Sequence, residues 1–199
     1  GGLRKSIVDI GDVVEATIEK CRDKVLEAVK ATSDRKNFVF VGDGPNYSTA
    51  LFGAAKLLEA AGSHAMGQDT EEWAHLQYFA NADTDTPTFV ISPGGRGHNR
   101  AAEILGPMNR VGRYSIGIVP EGDDVVGPNV DVILPVAGDV AEMFSPIVYP
   151  VATELFSAYF ADEIGEKFFR GFEGVYDDDD ANTIKTSTIV SRSDMSKFK

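Results

Sequence analysis

An α/β fold is what this sequence predicts: a three-layer sandwich with a mainly parallel five-stranded sheet and helices on both faces. Three observations predict it. Short, continuously apolar runs, Phe38–Val41 and Thr88–Ile91 among them, have the length and composition of strands buried on both faces. Stretches of helical length alternate with those runs, which implies parallel strands joined by right-handed crossovers. Glycine-containing turns link the runs at 37–41 and 88–91 to the helices that follow. In such folds ligands bind at the C-terminal ends of the strands.

The elements follow in order. Residues 4–31 form an amphipathic helix, with Ile7, Ile10, Val14, Ile18, Cys21, Val25 and Ala28 at three- and four-residue steps. A polar break at Ser33 to Lys36 precedes a strand at Asn37–Val41. The turn Gly42–Asn46 then leads into a helix from Tyr47 to Ala61. Ser63 to Met66 reads as a short strand, and Asp69 or Thr70 caps a helix reaching Phe79. The strand Thr88–Ile91 passes through Ser92-Pro-Gly-Gly-Arg-Gly97 into a helix ending at Arg110. Tyr114–Val119 and Val130–Val136 are two more strands. One long, mostly buried helix runs from Ser145 to Ile164, with Pro146 and Pro150 near its start, where proline costs least. The expected organisation is one domain over 1–199, with an N-terminal helix at 4–31 and an irregular tail at 165–199. Within that tail, Asp177–Asp180 reads as a solvated acidic turn rather than a metal site, and the last nine residues are polar.

Composition narrows the function. The 199 residues are 43% hydrophobic and 25% charged, enough for one sizeable core. Nineteen basic residues against 31 acidic ones, a net charge of −12, argue against nucleic acid as a partner, since phosphate backbones need clustered Lys and Arg. An anionic ligand would need a locally positive pocket. Cys21 is the one cysteine, so no internal disulfide forms, as suits a reducing, cytoplasmic setting. The most apolar long stretch, Phe144–Phe160, is interrupted by Ser145, Glu154 and Ser157, so no membrane span is expected. No signal peptide is visible. Gly1-Gly2-Leu3 carries no initiating Met, as expected of a chain that continues toward its N-terminus.

Several residues have chemistry to offer. The Gly42–Asn46 turn carries Gly42-x-Gly44, but the third glycine of a dinucleotide fingerprint is missing. Pro45 also sits inside the loop, and no acidic residue closes the next expected strand. It reads instead as a tight turn exposing helix N–H groups to a carboxylate or phosphate. Ser92-Pro-Gly-Gly-Arg-Gly97 combines a hydroxyl, flexible amides and a guanidinium, which suits an anion equally. Gly44, Asn46, Ser48, Ser92 and Arg96 are therefore the candidate substrate-binding residues. Lys56 and Glu59 share a helix face three residues apart, which a surface ion pair would also explain. Glu71, Glu72 and His75 lie on the next helix, where a solvated face is the plain reading, and His64 suits a packed imidazole.

From about residue 20 to 190 the chain resembles the sugar isomerase (SIS) domain. It resembles in particular the second isomerase subdomain of glucosamine-6-phosphate synthase and related tandem-SIS proteins, including fructosamine-type deglycases. The likeness rests on the strand Phe38–Val41, the Gly42-Asp-Gly-Pro-Asn-Tyr turn and Ala50-Leu-Phe-Gly-Ala-Ala-Lys-Leu-Leu-Glu59. It continues in Glu72-Trp-Ala-His75, with His75 sixteen residues after Glu59, in Pro146-Ile-Val-Tyr-Pro-Val, and in Asn182-Thr-Ile-Lys-Thr-Ser-Thr188. Two departures stand out. Leu76-Gln77 replaces the family's Gly-Pro, and Ser92-Pro-Gly-Gly-Arg-Gly lacks the second Ser and the Thr of a Ser-x-Ser-Gly-x-Thr phosphate loop, which tandem proteins carry in their first subdomain.

The resemblance implies that Glu59 moves a proton between sugar C1 and C2, with Lys56 beside it. It further implies that His75 helps open the sugar ring, in relatives often from the neighbouring subunit, and that Lys185 is the family's C-tail lysine. The chemistry agrees. One carboxylate can shuttle the proton of an enediol, a cation steadies the oxyanion, and an imidazole titrates in the useful range. No metal or redox cofactor is required. The expected substrate is a sugar phosphate or amino-sugar phosphate, and the expected assembly is a homodimer or a pair with a partner SIS half. The rival readings are a non-catalytic SIS module that binds a sugar phosphate or mediates dimerisation, and a nucleotide-binding α/β domain.

Overall fold

The computed structural model of the protein describes residues 2–80, 86–167 and 171, with side chains from Asp9 onward. Two compact units divide the chain, Gly1–Gly165 and Glu166–Lys199. Of the second, only Glu166, Lys167 and Gly171 are described, so Lys185, the 177–180 aspartates and nearly all of the 165–199 tail lie outside the described residues.

In the first unit the strands β1 (Asn37–Gly42), β2 (His64–Gln68), β3 (Thr88–Ile91), β4 (Ser115–Pro120) and β5 (Val132–Val136) form one sheet in the order β2-β1-β3-β4-β5. Every pairing is parallel, with Val39 opposite Thr88 and Phe89 opposite Ile116. The expected α/β architecture is therefore present. The helices are α1 (Gly2–Thr32), α2 (Asn46–Ala61), α3 (Thr70–His75), α4 (His98–Arg110), α5 (Ser145–Val148) and α6 (Pro150–Glu163).

Alternation along the strands sorts the core into two halves. Phe38, Phe40, Phe89, Ile91, Ile116 and Ile118 point to one face and pack with α1, α2 and α6. Val39, Val41, Val90 and Val119 point to the other, against Trp73 of α3 and Ala101, Ile104, Leu105 and Met108 of α4. The first half is knit by aromatic rings. Phe156 meets Phe89 edge-on at 4.8 Å and Phe38 at 5.9 Å, while Phe160 lies 5.0 Å from Phe38. Helix α1 is tied to the end of β5 through Cys21, whose thiol donates to the Pro135 carbonyl at 2.9 Å, and burial pushes that thiol up to about 12.

Four differences from the expected elements have physical causes. The helix expected over 145–164 is two helices meeting at Tyr149, because Pro150 has no N–H to continue the first one. The helix expected to reach Phe79 stops at His75 and gives way to a 3₁₀ turn, Gln77–Phe79. Trp73 is the last buried side chain of that segment, and Leu76 and Phe79 face solvent, so no core contact carries the helix further. Strand β2 begins at His64 and runs past Met66 to Gln68, following the register that pairs it with β1. Asp69 thus does close a strand, but its carboxylate accepts the Glu71 N–H at 2.9 Å as the cap of α3. Strand β5 starts at Val132 rather than Val130. Helix α2 reaches β2 closely because Gly67 has no side chain: a Cβ there would lie 2.6 Å from the Leu51 Cα.

Phe156→Ala is expected to cost about 3–5 kcal/mol, the range for emptying a buried aromatic site, read as a lower denaturation midpoint with an unchanged slope.

Candidate functional site

Two surfaces carry the candidate residues. The first is the solvent face of α2. Ser48, Phe52 and Lys56 recur every fourth residue there, followed by Glu59. Lys56 and Glu59 form an ion pair, the glutamate side chain 66% exposed and the lysine 34%. The lysine ammonium also stands 5.2 Å from the centre of the Phe52 ring. Phe52 in turn lines a groove of about 400 Å³ between α2 and the α5–α6 corner, together with Ser48, Thr49, Pro146, Ile147, Pro150 and Glu154.

Lys56 and Glu59 do not lie at the C-terminal strand ends, where their helix begins. Helix α2 runs back along the sheet, so Glu59, thirteen residues beyond Asn46, is carried about 20 Å toward the opposite edge. His75 is not brought to them within one chain. It ends α3, which packs on the other face of the sheet through Trp73. Its imidazole is 65% exposed and lies 3.4 Å from Glu71. Arg100 grips that glutamate at 2.6 and 3.0 Å, and these hydrogen bonds hold the Glu71 carboxyl below the usual carboxylate range.

The second surface is the strand-end crevice. Asn46 is buried there, and its polar atoms are committed to the fold: its amide donates to Ser145 at 2.7 Å and its carbonyl oxygen accepts from Thr49 at 3.1 Å. Ser92 is likewise buried. Its hydroxyl lies 2.7 Å from His98 Nδ1, and His98 Nε2 lies 2.7 Å from Asp123 Oδ1. The other Asp123 oxygen accepts the N–H groups of Val126 and Gly127 at 2.8 and 2.6 Å. His98 thus bridges the Ser92 hydroxyl and the Asp123 carboxylate through its two ring nitrogens. The relay joins the ends of β3 and β4 and fixes the loop between β3 and α4. Gly44, Ser48 and Arg96 are exposed, and Arg96 has no hydrogen bond or ion pair among the described residues.

Sequence reasoning missed His98, Asp123, Asp43 and Glu142. All four lie just beyond strand ends, His98 at the start of the helix after Ser92-Pro-Gly-Gly-Arg-Gly97. That position in a parallel sheet was the signal that could have found them. Burial raises the Asp43 carboxyl, with the charges of Glu142 and Asp69 adding to it, while its own N–H and His98 oppose. Among the described residues no three His, Cys, Asp or Glu side chains are placed to hold a metal ion, and no helix is long and apolar enough to cross a membrane.

The chain is a parallel five-stranded sheet covered on both faces, with Lys56 and Glu59 on the helix after the first strand. It belongs to the SIS domain family, whose pattern matches residues 32–161. More particularly, it is homologous to the SIS region of glutamine--fructose-6-phosphate aminotransferase [isomerizing]. It is 30% identical to that protein of Methanothermobacter thermautotrophicus over 156 residues, 78% of this chain and 26% of the relative. The chain therefore spans about a quarter of the length of the curated relatives it matches. Among solved structures, the C-terminal domain of glucosamine-fructose-6-phosphate aminotransferase from Francisella tularensis superposes with a TM-score of 0.67 at 21% identity, over 81% of this chain and 44% of that one. The Vibrio vulnificus NanR protein complexed with ManNAc-6P does so with a TM-score of 0.58 at 13% identity, over 86% and 63%. At these identities the superpositions speak for the fold.

Because the folded state raises the Asp43 pKa, ionising that carboxyl costs the fold stability that it keeps at low pH. Asp43→Asn is therefore expected to stabilise the protein at neutral pH, with the gain vanishing as pH falls below the carboxylate range. Denaturation midpoints measured across pH check this.

Proposed function

We propose that this chain is the isomerase-type half of an enzyme acting on a sugar phosphate or amino-sugar phosphate, with an aldose–ketose isomerase, amino-sugar phosphate synthase or deglycase reaction. The single observation that carries the proposal is the Lys56–Glu59 pair on the open face of α2, beside a groove large enough for a sugar, in a chain homologous to the SIS region of an isomerising aminotransferase. In this reading Glu59 takes the proton from one of C1 and C2 and returns it to the other. Lys56 steadies the oxyanion that develops between them. His75 acts at the ring oxygen. It lies across the sheet from Glu59 in its own chain, so it serves the Glu59 of a second copy or of a partner SIS half. Lys185 would add a second cation. The chemistry asks for no cofactor, and the assembly is a dimer acting in the cytoplasm. The ManNAc-6P complex of NanR supports a phosphorylated sugar as the ligand class.

One observation favours a second reading, a non-catalytic SIS module that binds a sugar phosphate or mediates dimerisation. Lys56 and Glu59 pair with one another on the surface, as ordinary helix neighbours do.

Two experiments separate the readings. Glu59→Gln in the complete enzyme is expected to cut turnover on hexose phosphates and their amine adducts by several orders of magnitude, with the melting temperature nearly unchanged. Near-normal turnover would return Lys56 and Glu59 to the role of a surface pair. Mixing inactive Glu59→Gln and His75→Ala chains is expected to restore about a quarter of the activity, since half the dimers would then hold one intact shared site. No recovery on mixing would place His75 outside that site.

A further inference from the structure

The loop between β3 and α4 has the form of an anion seat. It follows a strand, carries glycines at 94, 95 and 97 and opens a helix of 13 residues, whose first N–H groups favour negative charge. The protein's own carboxylates stand at it. A Cβ built on Gly97 would lie 1.6 Å from Asp43 Oδ2, and one on Gly95 would lie 2.2 Å from Glu142 Cδ. Each carboxylate thus rests directly on the loop backbone, Asp43 from the end of β1 and Glu142 from the segment after β5.

We propose that Asp43 and Glu142 are specificity-determining residues that crowd this seat and close it to phosphate. The loop cannot simply swing aside to make another seat. Ser92, at its root, is hydrogen-bonded to His98, and His98 to Asp123, which is itself anchored by two backbone N–H groups. Nor does the loop's own cation offset the charge: Arg96 is exposed and pairs with neither carboxylate. A phosphate entering there would meet the like charge of Glu142 and a carboxyl, Asp43, whose anion burial and the charges of Glu142 and Asp69 already disfavour. A phosphorylated ligand therefore turns an uncharged or cationic part toward this edge, and its phosphate is held by cations elsewhere. This exclusion stands whether or not the α2 pair is catalytic.

The test is titration of the full chain with inorganic phosphate at neutral pH, followed through its backbone amide resonances. In the wild-type protein the amides of Gly94–Asn99 are expected to show no saturable shift. In the Asp43→Asn/Glu142→Gln double variant the same amides should shift saturably, with affinity raised roughly tenfold or more. Glu27→Gln, which removes a remote surface carboxylate, should leave them unresponsive. Saturable phosphate binding at these amides in the wild type overturns the proposal. A folded double variant that binds phosphate no better than wild type overturns it equally. Should the double variant's spectrum show loss of the fold, Asp43→Asn and Glu142→Gln singly decide by the same criterion.

Discussion

Strands β1, β3 and β4 bury both of their faces, so their backbone groups must pair laterally and their side chains must find helices above and below. The layers, the crossovers and the position of every chemically useful residue depend on that constraint. Side chains on these strands are committed to packing, Phe40 and Phe89 on one face, Val41 and Val90 on the other. Polar chemistry is left to the strand ends and to the outer surfaces of the helices. Close approach of the layers is part of the same constraint. With a side chain at position 67, helix α2 could not rest on β2, and the face carrying Lys56 and Glu59 would be displaced.

The two surfaces that result differ in character. The outer face of α2 offers an exposed ion pair, a ring and a groove of mixed polarity, an arrangement open to a ligand or to a second chain. The strand-end crevice is internally connected. Asn46 is held by Ser145 and Thr49, and Ser92 by His98, so hydroxyl and amide groups that would suit a sugar are already engaged. An open α/β crevice usually binds at such an edge. Here the glycines of the loop admit the protein's own carboxylates, a use of close backbone approach that makes the edge acidic instead of receptive to anions.

The distance between Glu59 and His75 in function follows from the course of the chain. The two are sixteen residues apart in sequence, yet α2 and α3 flank opposite faces of the sheet at its β2 edge. No side-chain rotation reconciles those positions within one copy. In the functional reading advanced above, a complete site needs a second chain, for the geometric reason that the sheet stands between the two groups.

Much of the fold was legible in the sequence because it rests on local patterns. Continuous apolar runs mark β1 and β3, helical spacing marks α1 and α2, and Asp69 announces the start of α3 by its capping chemistry. Residue type also made Lys56 and Glu59 visible as a pair, since three residues of helix place them together whatever surrounds them. What tertiary structure alone decided is everything that joins segments distant in sequence. The stop of α3 depends on where the core ran out. Asp43 meets Gly97 from 54 positions before it, and Glu142 meets Gly95 from 47 positions after it. His98 and Asp123 are 25 apart and join through an imidazole. No periodicity records such encounters. They arise because a parallel sheet gathers all its C-terminal ends at one edge, and which side chains meet there is set by strand order.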